Sequence, residues 1–592
     1  MPRSNKTKKK NTSKTAQTPD KPQISSQNVE TDLELKKLKR VIYLTELTPR
    51  FIAGNPELYF LKNFAVNLTF IGNLLTKAEN IPTFLDILKK ANNDVNLPRR
   101  VTLFYVLAYA LRNHIPENKS TNQLADCVLD ICKTNEEFFK FISIFAMMKG
   151  KERDLKPEET YNKITTSIGR IIRKFLEKKT PSEYANEVGS ANGYYGWQYK
   201  DLIKMSHYKS ETAEKLIVTD YVLHGFKGMK KPEVGNTDIY ETLKKWNSLQ
   251  DPEISIEKLC DLIKELNASY RNMNPKHIKV QEVWGTIIPQ LSIEELLHLL
   301  PKFLKYNMFE PMETSIVYAK VKEMLTVANI GFRKVNALEL FIHWRNLLKG
   351  GKPIDPKLEY YLKTNKLPIK TPSPIPEDNE ISKVLQQCMH YSYPLDPTVL
   401  GSDSNVVLVL DIAEYGGNCF KQRNITCLEA EVALATYFCR TERSMEVKVF
   451  NEHQLEDLDL NNGPDAYSQN LKKLKEIKPS KIKPADVFDW AIAQEREVDV
   501  FIFVLQSVKS LPINPKDFRK MFKEAFQDYL KRTDEEVKII VICLGSHSLA
   551  PFGESMNCLT ICGFCPELPK VIRSFVKGDI GPIKNKRKPK KD

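Results

Sequence analysis

The chain has 592 residues, 42% hydrophobic and 28% charged, with a formal net charge of +15 from 89 basic and 74 acidic side chains. This length exceeds one ordinary core and implies about three or four domains, or two large units if one is a repeat array. No apolar run is long enough to cross a bilayer, the basic start MPRSNKTKKKNTSK lacks the apolar stretch of a secretory signal, and eleven cysteines, mostly inside apolar patterns, indicate reduced core residues rather than a disulfide framework.

In chain order, residues 1–45 read as a disordered basic arm; five of the first ten residues are basic and none is acidic. Helical patterns then dominate. Apolar residues recur at three-and-four spacing over Leu58–Leu75, Phe84–Ala91, Val101–Leu111, Leu124–Cys132, Phe138–Met147 and Ile164–Phe175, and again over Ile239–Leu249, Ile256–Leu266 and Val280–Leu304. Such a succession suits an α-solenoid, in which each helix pair buries its face against its neighbours. No strict repeat period is visible, and Ser292 with Glu295 forms a capping box.

The most specific stretch is Gly196–Phe226, GWQYKDLIKMSHYKSETAEKLIVTDYVLHGF. Leu202, Ile203 and Met205 among Lys200 and Lys204 mark one helix. Ser206–Lys209 makes a polar turn, and Leu216, Ile217, Val218 and Leu223 mark a second helix, with Ser210 as its N-cap and His224-Gly225 as its stop. The Gly-Trp, Lys-Asp-Leu and Ser-His-x-Lys at this spacing resemble the TROVE module of the Ro ribonucleoprotein family, and the resemblance continues through Trp284–Pro311 and Phe332–Gly351. It implies a ring of HEAT-like helical repeats over 46–370 that binds small noncoding RNA, with His207 matching a histidine implicated in RNA contact. Lys200, Lys204 and Lys209 beside it, and Arg170, Arg173 and Lys174 on the preceding helix, supply cations for phosphates. Family members carry basic residues just upstream of the Gly-Trp. Here Ser190 and Tyr194 stand there instead, which bears on recognition of the family's typical Y RNA.

Residues 352–377 are proline-rich, with Thr371–Pro376 the clearest linker, and 371–403 read as a linker with a connecting helix. A strand at Val406–Leu410, a helix at Leu428–Cys439 and strands at Val447–Phe450, Val498–Leu505 and Lys538–Leu544 then predict a doubly wound, mainly parallel sheet over 404–580. Ligands of such sheets sit at the carboxyl ends of the strands. This half resembles a von Willebrand factor A domain, which the Ro family has in this position.

That family's metal site uses Asp-x-Ser-x-Ser after the first strand, a later threonine and a later aspartate. Here the loop reads Asp411-Ile412-Ala413-Glu414-Tyr415, so Ala413 and Tyr415 replace both hydroxyls, while Ile482 stands for the threonine and Gln506 for the aspartate. One carboxylate is too small a donor set for a hard divalent cation. No metal and no other cofactor is therefore expected. Asp411 should cap the next helix or face solvent; a second option is neutralisation by Lys481 or Lys483, which flank Ile482. Cys558, Cys562 and Cys565 lack the fourth neighbour that structural zinc needs.

Residues 581–592 form a basic tail, and the two chain ends together hold +10 of the net charge. NKRKPKK near the C-terminus reads equally as a nuclear localisation signal, a nonspecific nucleic-acid anchor or a solubilising tail. No P-loop, zincin helix or nucleophile elbow is visible, since Gly545-Ser546-His547 lacks the second glycine. The reading is a multidomain α plus α/β protein that is not an enzyme. It is expected to be a scaffold for small noncoding (Y-like) or misfolded RNAs, taking single-stranded ends in the ring and structured RNA on a basic outer face. It would act away from membranes in the cytoplasm, and in the nucleus where the tails direct entry. The alternative is a protein-interaction scaffold with partners on the A domain and decayed RNA and metal binding.

Overall fold

The computed structural model describes residues 26–580 apart from 55–67, 114–117, 149–165, 231–236, 334, 352, 355, 366–371, 393–403, 413–415, 534–535 and 554–556. The first part of the expected arm and the whole basic tail lie outside these residues. The rest of the arm departs from expectation: Ser26–Leu44 is a helix with Leu38, Val41, Ile42 and Leu44 buried. Interleaved Lys36, Lys37, Lys39 and Arg40 mask that three-and-four spacing in the sequence.

Helices packed against one another build the helical half: Tyr199–Ser206 lies against Thr166–Glu177 and Ala213–Gly228, and Pro181–Ser190 against Ala213–Gly228 and Thr237–Ser248. The expected continuous pattern over Val280–Leu304 divides into Gln281–Ile287, a 3-10 turn at Ile288–Gln290 and Ile293–Lys305. Pro289 lies in that turn. The capping box restarts the helix: the Glu295 N–H donates to Ser292 Oγ at 3.2 Å and the Ser292 N–H to Glu295 Oε2 at 3.0 Å.

The second half is a seven-stranded sheet in the order Arg50–Ile52, Cys558–Cys562, Lys538–Cys543, Val500–Leu505, Asn405–Leu410, Ser444–Asn451 and Gln454–Asp457. Every pairing is parallel except the last. Alternation along each strand separates two faces. Val407, Val409, Phe501, Phe503, Ile539 and Val541 meet Val487, Phe488, Phe518, Phe522 and Phe526 of the helices Pro484–Ala493 and Pro515–Thr533. Leu408, Leu410, Ile502, Val504, Ile540 and Ile542 face the helices Cys427–Thr441 and Leu568–Val576, and this core runs without a break into the helical half.

Both ends of the helical array are tied to the sheet. Arg50–Ile52, read from sequence as the threshold of the helical half, pairs in register with Thr560, Ile561 and Cys562 at the sheet edge. At the other end the Ala337–Leu347 helix lies in the seam, where Phe341 meets Tyr467 and Phe564 at 5.1 and 5.9 Å between ring centroids. Trp344 stands edge-on to Tyr467 at 5.6 Å and donates its indole N–H to Ser382 Oγ at 2.9 Å. Arg345 pairs with Glu429 across the seam. The described part of the proline-rich linker is docked here: the Ile375 N–H donates to Leu347 O at 3.2 Å, and a Cβ on Gly350 would stand 2.4 Å from Pro372 O.

Truncating Trp344 should therefore be felt on both sides of the seam. Trp344→Ala is expected to cost about 3–5 kcal/mol, the usual range for a buried tryptophan, and to lower the denaturation midpoint of helical and sheet signals together. Two separated transitions in wild-type calorimetry would contradict the shared core.

Candidate nucleic-acid interface and the loop at the sheet edge

Gly193–Tyr194 and Trp197–Gln198 form a minimal hairpin whose two turn residues, Tyr195 and Gly196, have φ of 54° and 81°. Both lie in the left-handed region that a two-residue hairpin turn of this hand requires. Gly193 is also obligatory, because a Cβ there would fall 1.9 Å from Trp197 O. The Asp201 carboxylate accepts from the Gln198 N–H at 2.8 Å and so opens the helix Tyr199–Ser206. Leu202 and Ile203 bury one side of that helix, leaving Lys204 exposed on the other.

His207 ends the helix with φ 49° and ψ 40°. Its N–H and that of Tyr208 both donate to Ile203 O, the latter at 3.2 Å, which closes the terminus. Ser206 and Tyr208 are buried on either side, so the left-handed residue between them turns its imidazole outward. Lys209 is exposed next to it and Lys200 is half-buried. Among the described residues, Lys200, Lys204, His207 and Lys209 form no ion pair. The following helix starts later than expected: Thr212, not Ser210, is the N-cap of Ala213–Gly228, accepting from the Lys215 N–H, and Ser210 makes a local turn to Thr212 instead. The expected stop at Gly225 is a kink with φ 73° rather than an end.

The cations of Thr166–Glu177 are engaged differently. Arg173 donates to Ser206 O at 3.1 Å, holding the end of the His207 helix, Lys174 pairs with Asp126 at 2.8 Å, and Arg170 donates to Asn122 Oδ1 at 3.2 Å. Their charge is partly spent on holding helices together. Ser190 bonds Glu187 O at 3.0 Å, and Tyr194 packs on Phe139 at 5.6 Å. Sequence reading passed over Tyr195, an exposed aromatic at the hairpin tip whose ring carries Lys140 Nζ at 4.3 Å and whose hydroxyl donates to Glu136 Oε1 at 2.9 Å.

At the carboxyl end of the sheet, Asp411 neither caps a helix nor faces solvent. It is 2% exposed, and its Oδ2 accepts from the Gln506 N–H at 3.0 Å and from Ser510 Oγ at 2.7 Å. Glu431, fully buried on the Cys427–Thr441 helix, completes the cluster: its Oε1 accepts from the Asp411 N–H at 2.7 Å and its Oε2 from Gln506 Nε2 at 3.2 Å. Lys481 and Lys483 do not neutralise Asp411; both are exposed, and Lys483 lies 3.9 Å from Asp486. Burial raises the Asp411 carboxyl to about 6 against the hydrogen bonds from Ser510 and Gln506, while burial and then the Asp411 charge push Glu431 well above its ordinary value. Ile482 is buried and apolar, and Ala413 and Tyr415 lie outside the described residues. Cys558, Cys562 and Cys565 are buried free thiols.

The family model for the Ro60 vWA domain matches residues 405–576. A crystal structure of the Deinococcus radiodurans RO (RSR) protein superposes with a TM-score of 0.68 over 92% of this chain and 100% of that one, at 16% identity. Residues 405–576 thus match the Ro60 vWA family, and the chain as a whole shares the fold of the Deinococcus Ro protein. This fold is a helical array joined to an A domain, and among the described residues no helix is long and apolar enough to cross a membrane.

Within this Ro-type A domain, Glu431 and Ser510 were invisible to motif reading because neither stands in the metal-loop pattern. The one available signal was a second glutamate, after the capping Glu429, inside the otherwise apolar run of Cys427–Phe438. The buried cluster makes a signed prediction. Burial lifts the folded Asp411 carboxyl from its ordinary 3.8 to about 6, so the native state holds the extra proton between these values and stability rises as pH falls through that window. Asp411→Asn keeps an acceptor for the Gln506 N–H and Ser510 hydroxyl. It should stabilise the protein by about 2–3 kcal/mol at pH 8, with the gain shrinking as pH falls from 6 toward 4; urea melts at several pH values measure this.

Proposed function

We propose that this chain is a Ro-type, noncatalytic RNA-binding scaffold for small noncoding, Y-like or misfolded RNA. Single-stranded ends enter the helical array and structured RNA lies against its basic outer face. The observation that carries this reading is the outward-turned His207 on a left-handed helix end, with Lys200, Lys204 and Lys209 around it free of ion pairs among the described residues. Unneutralised cations release counterions on meeting phosphate, and an exposed imidazole can stack on or bond an unpaired base. Arg170, Arg173 and Lys174 serve as a second row: Arg173 positions the His207 helix, while Arg170 and Lys174 hold Asn122 and Asp126 of the neighbouring helix and keep positive charge behind it. The A domain works without a metal, since Asp411 and Glu431 bond inward and Ile482 offers no oxygen.

A second reading, a protein-interaction scaffold, is favoured by the packed, uncharged Ser190 and Tyr194 where the family resemblance expects cations. Filter binding of a structured RNA with a 3′ single-stranded extension separates the two. His207→Gly suits the left-handed backbone, so it should leave the fold intact and weaken binding several-fold. Lys204→Gln with Lys209→Gln should flatten the log–log salt slope by roughly 1–1.5, at about 0.7 per single-strand phosphate contact. Copurification of protein partners without RNA, together with unchanged binding in these variants, would select the second reading.

A further inference from the structure

We propose that His298, Glu339 and His343 form a binding site for one divalent transition-metal ion of the zinc class, which clamps the Ile293–Lys305 helix to the seam helix Ala337–Leu347. One ligand atom from each of the three side chains lies within 4.8 Å of the others. Nε2 of His298 and Nε2 of His343 are each 3.9 Å from the same oxygen, Glu339 Oε1. That separation is too long for a hydrogen bond. Ligands of a tetrahedral zinc, at about 2.0–2.1 Å from the ion, stand roughly 3.3 Å apart, so closure requires about half an ångström on each of the two Glu339 pairs and up to about 1.5 Å between the two imidazoles.

Local structure makes the arrangement rigid on one side and adjustable on the other. Glu339 and His343 are four residues apart on one helix face. His343 is 4% exposed, and its Nδ1 is buried without a hydrogen-bond partner. Its edge meets the His298 ring at 5.1 Å. His298 is exposed and supplies the movement needed for closure. Two imidazole nitrogens with one carboxylate oxygen suit zinc, cobalt or nickel rather than magnesium or calcium, which prefer all-oxygen sets. Lys570 also lies within electrostatic reach of Glu339. Lys570 opposes a cation, but its side chain is exposed and can turn to solvent. With three protein ligands, the fourth position faces water or an anion.

This site shares no residue with the Asp411 cluster. Its consequence is mechanical: an ion here joins two helices beside the point where the array meets the A domain.

The test titrates the full chain with cobalt(II) as a spectroscopic probe and then with zinc. The expected result is one equivalent bound, visible d–d bands without a thiolate-to-cobalt charge-transfer band, displacement by zinc, and a zinc-dependent rise in Tm of several degrees. His298→Ala should lose at least tenfold in affinity and the zinc-dependent rise, each read against the variant's own metal-free Tm; Glu339→Gln should weaken both. The proposal is overturned by absence of stoichiometric binding, by a thiolate band, or by affinity unchanged in both variants.

Discussion

Burial of the Ala337–Leu347 helix is the constraint on which the rest of the architecture depends. Nine of its positions, from Ala337 to Leu347, are buried, including a histidine and an asparagine. A helix apolar on nearly every side cannot sit at the rim of a two-layer array; it needs neighbours all round. The helical half supplies some of these and the A domain the rest, through Tyr467 and Phe564. Polar ties follow the apolar ones: Asn424 Nδ2 donates to Asn346 Oδ1 at 2.9 Å and to Gly351 O at 2.7 Å, and Asn336 Nδ2 to Pro566 O at 3.0 Å. With Arg50–Ile52 added to the sheet edge, the chain closes on itself, and each half limits the other's freedom.

Closure matters for a surface that depends on a few side chains. His207 is held outward by its own backbone, by the two amides that converge on Ile203 O, and by Arg173 on the neighbouring helix. Positively charged groups near a helix C-terminus are favoured by the helix dipole as well as by any phosphate that approaches. The same arrangement explains why adjacent cations differ in role. Arg173 reaches a buried carbonyl and stabilises the scaffold, whereas Lys204 and Lys209 extend into solvent.

At the sheet's carboxyl edge, Asp411, Glu431, Gln506 and Ser510 bond to one another. Gln506 bridges two carboxylates, donating its backbone N–H to Asp411 and its amide to Glu431. Such a cluster is tolerable in a dry interior only if each charge is hydrogen-bonded or protonated. Both Glu431 oxygens accept hydrogen bonds, from the Asp411 N–H and the Gln506 amide, and burial pushes its carboxyl well above the ordinary value.

Much of this was legible in the linear chain. Period and composition located the helical half and the strands at 405–410, 444–451, 500–505 and 538–543 to within a few residues, because apolar spacing is a local property of a buried face. The resemblance at Gly196–Phe226 pointed to the family, and the missing hydroxyls after Asp411 were readable directly. Other features needed the tertiary structure. The three-residue strand Arg50–Ile52 is too short to carry a pattern and exists only because a distant edge strand pairs with it. The environment of Asp411 was misjudged because Glu431 and Ser510 come from elements 20 and 99 residues away. The division of cations between scaffold and surface, and the meeting of His298 with Glu339 and His343, were set by which helices became neighbours. Sequence determines what each segment would bury; only folding decides against what, because long-range contacts are made between faces whose partners the local pattern does not name.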